Sequence, residues 1–204
     1  MYIISQDNYF VSGMDKLLKN INPYAPHTLI VFDRGDGKVV FFSMHSLLLI
    51  LAEQKNFHTF ICTKFIKLDK CSPMSFMEYE VRKIITFLRG KEQEDHIREV
   101  HLSVVEYNIM TMILDGRPNS YIMEALNLDR KVVSNYKNAI LRKLGLKSMA
   151  ELIHIYQNWN ACFCCTDGIV MPNIKLVPHA ETNELKMIRC GTLKQDDVSP
   201  SSVM

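Results

Sequence analysis

The chain has 204 residues, enough for one large domain or two small ones, and 48% of them are hydrophobic, enough for a packed core. Its formal net charge of +2 excludes a uniformly basic nucleic-acid coat, so any basic site must come from local asymmetry. The longest apolar stretch, Val39 to Ala52, is fourteen residues and contains Ser43, His45 and Ser46. A bilayer span needs about 20 residues, so this stretch reads as a buried strand and a core helix. The start, Met1-Tyr2-Ile3-Ile4-Ser5, lacks a basic region and is too short for a secretory signal. With no such signal, the six cysteines are expected to be free thiols in a reducing cytoplasm.

Residues 1–89 read as an α/β module. Tyr2 to Ser5 is a short strand, and Met14, Leu17, Leu18 and Ile21 have helical spacing over the segment that ends at Asn22-Pro23. Thr28 to Asp33 is a β-branched strand. Arg34-Gly35-Asp36-Gly37 is a turn, and Lys38 to Phe42 runs extended behind it, so a hairpin is expected. Ser43 to Gln54 reads as a leucine-dense helix and Phe57 to Thr63 as another strand. Met77 to Leu88 reads as a helix through Val81, Ile84, Ile85 and Leu88. Residues 90–101 are charged and poor in apolar side chains, which predicts a linker.

The helical signals become dense from residue 102. Ser103-Val104-Val105-Glu106 is a capping box, with Leu102 and Tyr107 where a hydrophobic staple sits. Ile109, Met110, Ile113 and Leu114 follow, and Gly116 suits a left-handed terminus. A short helix is predicted over Asn119 to Leu126, with Asn127 in a left-handed turn, Leu128 at the corner and Asp129 as the next N-cap. A third helix runs from about Arg130 to Leu144, with Val133, Tyr136, Ile140, Leu141 and Leu144 on one stripe. Lys131, Ser134, Asn135, Asn138 and Arg142 lie on the opposite face, at i, i+3, i+4, i+7 and i+11.

Between residues 130 and 147 there are six basic side chains and no acidic one, the asymmetry that the total charge conceals. A helix of this kind fits the major groove, where Asn pairs with adenine N6 and N7 and Arg or Lys pairs with guanine or phosphate. A short helix, a tight turn and a longer polar-faced helix over residues 119–138 make a helix-turn-helix. A solvated basic helix that binds nothing has the same periodicity and charge.

Residues 102–152 also resemble the C-terminal DNA-binding domain of LuxR/FixJ-type regulators. The resemblance is carried by Leu102-Ser103, Glu106, Ile109-Met110, Asp115-Gly116, Asn119, Ile122, Leu126, Leu128, Val133, Asn135, Ile140, Lys143-Leu144-Gly145-Leu146 and Glu151-Leu152. It covers about a quarter of the chain. It implies a four-helix all-α domain whose third helix enters the major groove, with Ser134, Asn135 and Asn138 at the bases and Lys131, Tyr136 and Lys137 near the backbone. It also implies dimerisation through a fourth helix, with Met149, Leu152, Ile153 and Tyr156 as candidate contacts. Val132, Ser134 and Tyr136 replace a usual Thr, Lys and His, while Asn108 and Pro118 replace a usual Glu and a usual Ser or Thr. The loss of Lys at position 134 points to a non-standard operator.

Such domains often follow a phosphorylatable receiver. Asp7, Asp33, Thr63 and Lys70 are partial analogues of its site, with Asp33 as the candidate phosphoacceptor. Only one acidic residue follows the first strand, and Asp7 to Asp33 is short for strand–helix–strand–helix–strand. The N-terminal part is therefore read as a shortened receiver-like α/β domain that works without phosphoryl transfer. It resembles those of enterobacterial auxiliary regulators of acid resistance, capsule or fimbriae. The fold expected is thus an α/β receiver-like domain over 1–89 joined by the 90–101 linker to an all-α four-helix LuxR-type helix-turn-helix domain over 102–158, with an irregular, partly disordered tail over 159–204.

The remaining motifs carry less. Cys162, Cys164, Cys165, His179 and Cys190 match no standard zinc spacing, and no metal or other cofactor is expected. Gly35-Asp36-Gly37-Lys38 lacks the residues of a phosphate-binding loop. No nucleophile–base pairing stands out, so an enzyme is not expected. The partners expected are double-stranded promoter DNA and a second subunit, either an identical copy or a response regulator, with no membrane role. The competing reading is a protein-interaction module that modulates another regulator and binds little DNA itself.

Overall fold

A computed structural model describes residues 2–21, 29–89, 100–163 and 175–176. The element order is β1 (Tyr2–Ile4), α1 (Asn8–Ile21), β2 (Leu29–Asp33), β3 (Lys38–Ser43), α2 (Met44–Ala52), α3 (Asn56–Cys62), β4 (Ile66–Asp69), α4 (Met74–Arg89), α5 (Val104–Leu114), α6 (Asn119–Leu126), α7 (Arg130–Leu144), α8 (Met149–Phe163) and β5 (Lys175–Leu176). Among the described residues no helix is long and apolar enough to cross a membrane.

The strands form one mixed sheet in the order β4-β3-β2-β1-β5. β1 runs parallel to β2 with Ile3 opposite Val31, and β2, β3 and β4 are antiparallel neighbours. The expected hairpin is present: Asp33 faces Val39, and Gly35 and Gly37 take left-handed φ values of 87° and 80° in its turn. All five β2 residues are buried, as a strand covered on both faces requires.

Strand alternation divides the core. Leu29, Val31, Val39, Phe41 and Leu68 pack under α1 and α4. Ile30, Phe32, Val40 and Phe42 face the other way, and there they share one continuous core with α2, α3 and the buried residues of α5 to α8.

Where a strand was expected over Phe57 to Thr63, Phe57 to Cys62 lie in helix α3 and Thr63 is its extended C-cap. A strand would have put Phe57, Thr59 and Ile61 on one face and Phe60 on the other. The helix instead buries Phe57, Phe60 and Ile61 together against the sheet. β-propensity yields here to tertiary packing. β4 went unread because it is four residues long, with Lys67 and Asp69 exposed, as suits an edge strand. β5 lies in the stretch expected to be irregular, while most of the expected linker, residues 90–99, lies outside the described residues.

α8 runs to Phe163, five residues past the boundary expected at 158, because its end is apolar and has a place to go. Trp159 is fully buried and stacks on Phe60 at 4.2 Å between ring centroids, edge-on to Phe32 at 5.8 Å and tilted on Phe163 at 4.3 Å. Its indole N–H donates to Asn56 Oδ1 at 3.1 Å. One residue earlier, Asn158 Nδ2 donates to the Asp33 carbonyl at 2.7 Å. A Cβ on Gly35 would lie 3.2 Å from Asn158 Cβ, so that glycine serves both the turn and the approach of α8. On the other flank the Val100 N–H donates to the Cys62 carbonyl at 2.8 Å.

Truncating a buried aromatic that bridges two halves removes transfer free energy and leaves a cavity. Trp159→Ala is expected to cost about 3–5 kcal/mol. Urea unfolding followed by far-ultraviolet circular dichroism and by tyrosine fluorescence should show one earlier transition with both probes. Two separated transitions, with only one moved, would contradict a shared core.

Candidate nucleic-acid interface

The helical half is organised around the first turn of α5. Ser103 Oγ accepts from the Glu106 N–H at 3.3 Å, and Glu106 Oε2 accepts from the Ser103 N–H at 2.6 Å, which completes the expected capping box. The same oxygen accepts from Lys143 Nζ at 2.7 Å, and Lys143 also donates to the His101 carbonyl at 3.2 Å. This clamp ties the end of α7 to the start of α5. Lys143, one of the six basic residues of the 130–147 run, is thus a structural cation. Burial raises the Glu106 carboxyl, but the hydrogen bonds from Lys143 and Ser103 outweigh it and hold the group below the ordinary glutamate range.

Gly116 ends α5 with a φ of 73°, and Pro118 takes the N-cap position of α6 without a side-chain bond. Asn127 closes α6 at φ 49° and ψ 51°, the left-handed turn expected there. Asp129 holds the N-cap backbone conformation of α7, but its carboxylate caps nothing. Leu128 packs on the core at the corner. Gly145, at φ 66°, ends α7, and the Leu146 N–H turns back to the Leu141 carbonyl at 2.9 Å.

α7 is buried through Val133, Ile140 and Leu144. Lys131, Ser134, Asn135, Asn138 and Arg142 are all exposed. Tyr136 is half-buried and packs against the core, so its expected place near a DNA backbone leaves only part of the ring exposed. Lys137 is half-buried and donates to Asn119 Oδ1 across the motif, bracing α6 against α7. A shallow groove between the two helices is lined by Asn119, Met123, Arg130, Ser134 and Lys137.

One further exposed cation lies beside the motif but outside the 130–147 run. Arg117 sits over the Tyr121 ring at 5.1 Å, beside the start of α6. With no side-chain cap there, the first amides of α6 and the Arg117 guanidinium can share an anion. The exposed α7 face offers amides and a hydroxyl in its middle and cations toward both ends. That arrangement suits base edges between two phosphate backbones.

The candidate dimer contacts on α8 are engaged within the chain. Leu152 is fully buried, Tyr156 meets the Phe57 ring at 4.8 Å, and Met149 and Ile153 pack on the shared core.

The receiver-like residues also come together in part. Asp33 is 5% exposed; its Oδ2 accepts from Ser5 Oγ at 2.7 Å and Lys70 Nζ at 2.8 Å, and its Oδ1 accepts from the Gly35 N–H at 3.1 Å. Lys70 also reaches Asp7 at 3.3 Å. Thr63 is buried and its hydroxyl donates to the Thr59 carbonyl at 2.6 Å. Among the described residues no group of three or more His, Cys, Asp or Glu could hold a metal ion. Of the cysteines weighed for zinc, Cys162 is buried, its thiol pushed up to about 11 by burial and by Asp33. Cys164, Cys165, His179 and Cys190 lie outside the described residues.

Comparison with known proteins agrees with the helical half. Residues 100–156 match the family of bacterial regulatory proteins, luxR family. The DNA-binding transcriptional activator EvgA of Escherichia coli strain K12 is 41% identical over 63 residues, 31% of this chain and 31% of that protein. EvgA of Shigella flexneri matches with the same identity and coverage. The chain thus spans under a third of the length of the curated relatives it matches. No solved structure matches the chain.

The clamp on Glu106 makes a pH-dependent contribution to stability. A carboxylate held below its unfolded value stabilises the fold above that value, and the contribution is lost as pH falls through the folded value. Urea midpoints measured from about pH 7 down to about pH 3 should fall less steeply in Glu106→Gln than in the unchanged chain. Parallel curves would contradict the depressed carboxyl.

Proposed function

We propose that this chain, with a luxR-type domain at residues 100–156, is a sequence-specific DNA-binding transcriptional regulator of bacteria that reads the major groove with α7 and acts as a dimer in the cytoplasm. The observation that carries the reading is the exposed line Lys131, Ser134, Asn135, Asn138 and Arg142 on a helix whose opposite face is buried. The Asn135 and Asn138 amides can each pair with adenine, Lys131 and Arg142 take phosphates or guanine, and Ser134 tolerates either donor or acceptor. The likeness to EvgA, a DNA-binding transcriptional activator, supports the same use of the matched 63 residues.

We further propose that the regulator works without phosphorylation. Both carboxylate oxygens of Asp33 are occupied by partners of the chain itself, and the Lys70 that holds one of them also holds Asp7. Among the described residues no group of three or more acidic, His or Cys side chains gathers there to hold a divalent cation beside a phosphoacceptor.

Two measurements test the reading. In a band-shift assay Asn135→Ala should lose about 1–3 kcal/mol on the specific site and little on random DNA. Lys131→Ala should weaken both alike and flatten the salt dependence. An equal loss on both DNAs for Asn135→Ala would contradict its role as a reader. Incubation with acetyl phosphate should leave the mass unchanged. A phosphoryl adduct that disappears in Asp33→Asn would contradict phosphorylation independence.

A further inference from the structure

The polar surface of α7 continues past the end of the helix. Asn135, Asn138, Arg142 and Lys147 line one shallow groove with Leu141 and Leu146. Lys147 is exposed, and its backbone N–H donates to Glu151 Oε2 at 2.6 Å in the first turn of α8. The other oxygen of Glu151 lies 4.0 Å from the Arg34 guanidinium, which also pairs with Asp36 in the turn between β2 and β3. The groove beside α7 is thereby joined to the rim of the sheet.

Two lysines stand at that rim. β3 turns Val40 and Phe42 toward the core shared with α8, so Lys38, two residues before Val40, is on the same face. Lys67 of β4 is opposite Val40 and therefore on that face too, diagonal to Lys38. β4 is an edge strand; Lys67 is exposed and Lys38 half-buried. The neighbouring acids are turned inward: the side chains of Asp36 and Glu151 are 2% and 12% exposed, and both face Arg34. Asp69, opposite Lys38, accepts from the Cys71 N–H at 2.9 Å. Among the described residues neither Lys38 nor Lys67 forms an ion pair. Loss of surrounding water, then the Arg34 and Lys38 charges, bring the Lys67 ammonium down to about 8, against the smaller pull of Asp36 and Glu151. A cation held in this way gains from an anion that the chain does not supply.

The row Arg142, Lys147, Lys38 and Lys67 leads away from the amides of α7 on one side. Under the proposed function a phosphate backbone runs past that end of the helix. We infer that the α/β half binds DNA alongside the helical half, with Lys38 and Lys67 on backbone phosphates beyond the C-terminal end of α7. The inference rests on the DNA-binding reading and extends the footprint outside residues 100–156. The seat of α8 on the sheet, through Trp159 and Asn158, fixes both lysines relative to α7, so they meet the duplex without a further cost of ordering the two halves.

Fluorescence anisotropy of a labelled mixed-sequence duplex, titrated with the full chain at several salt concentrations and from about pH 7 to about pH 9, tests it. Lys67→Gln should weaken binding severalfold at about pH 7 and lower the slope of log affinity against log salt by about 1. A phosphate favours the charged amine, so the affinity of the unchanged chain should hold below about pH 8 and fall as pH rises through it. Lys67→Arg, charged throughout this range, should keep the binding and lose that fall. Binding indifferent to Lys67→Gln in strength, slope and pH profile overturns the inference and leaves the DNA-binding reading intact. Weaker binding at an unchanged slope means that Lys67 acts through the fold, and overturns it too. No binding to any duplex overturns both. Should Lys67→Gln fail to fold, the pH profile of Lys67→Arg decides alone: a fall equal to that of the unchanged chain contradicts the contact.

Discussion

The indole of Trp159 sits where the two halves of the chain meet. It stacks on Phe60 of α3, touches Phe32 of β2 edge-on and donates its N–H to Asn56. Full burial of so large a ring dominates the local energetics: truncation of such a residue typically costs about 3–5 kcal/mol, whereas exposed ion pairs such as Arg82 with Glu78 contribute about 0–1 kcal/mol. The polar contacts around the indole give the contact direction. Asn158 fixes α8 to the Asp33 carbonyl, and Glu151 lies 4.0 Å from the buried Arg34 guanidinium, which pairs with Asp36. The helical domain is therefore held in one orientation, with α8 inside and the polar face of α7 outside.

A second constraint acts within the helical domain. Lys143 spans from the end of α7 to the capping box of α5, and Lys137 spans from α7 to Asn119 at the start of α6. These two lysines hold α7 at a fixed angle to its neighbours. The basic residues of the 130–147 run thus fall into two groups. Lys131 and Arg142 are exposed, while Lys143 and Lys137 stabilise the frame. Charge counts along a helix cannot separate these roles; the position of Glu106, thirty-seven residues away, does.

Local signals made the helical domain legible. Ser103 and Glu106 announced α5, Asn127 the turn and Gly145 the end of α7, because caps and left-handed residues depend on near neighbours. The buried and exposed faces of α7 followed from spacing alone. The first half was less legible wherever long-range packing decides. The Phe57–Thr63 run has strand-like composition but is helical as far as Cys62 so that Phe57 and Phe60 can meet Trp159, a hundred residues later. Ser5, Asp33 and Lys70 converge across three strand ends, and the closure of that cluster was not readable from the separate residues. The residues that the resemblance placed at a subunit contact, Met149, Leu152, Ile153 and Tyr156, all pack on the core of their own chain, Tyr156 against Phe57 of α3, a contact that spacing along α8 does not reveal.

A rigid frame buries one face of α7 and leaves the polar face, proposed above to read DNA, exposed. Selection of bound duplexes from a random-sequence library by the full chain, followed by sequencing, tests that claim most directly. The account predicts enrichment of a shared motif, with adenine at positions read by the α7 amides. Recovery of unenriched sequence, with retention that tracks salt alone, would contradict it.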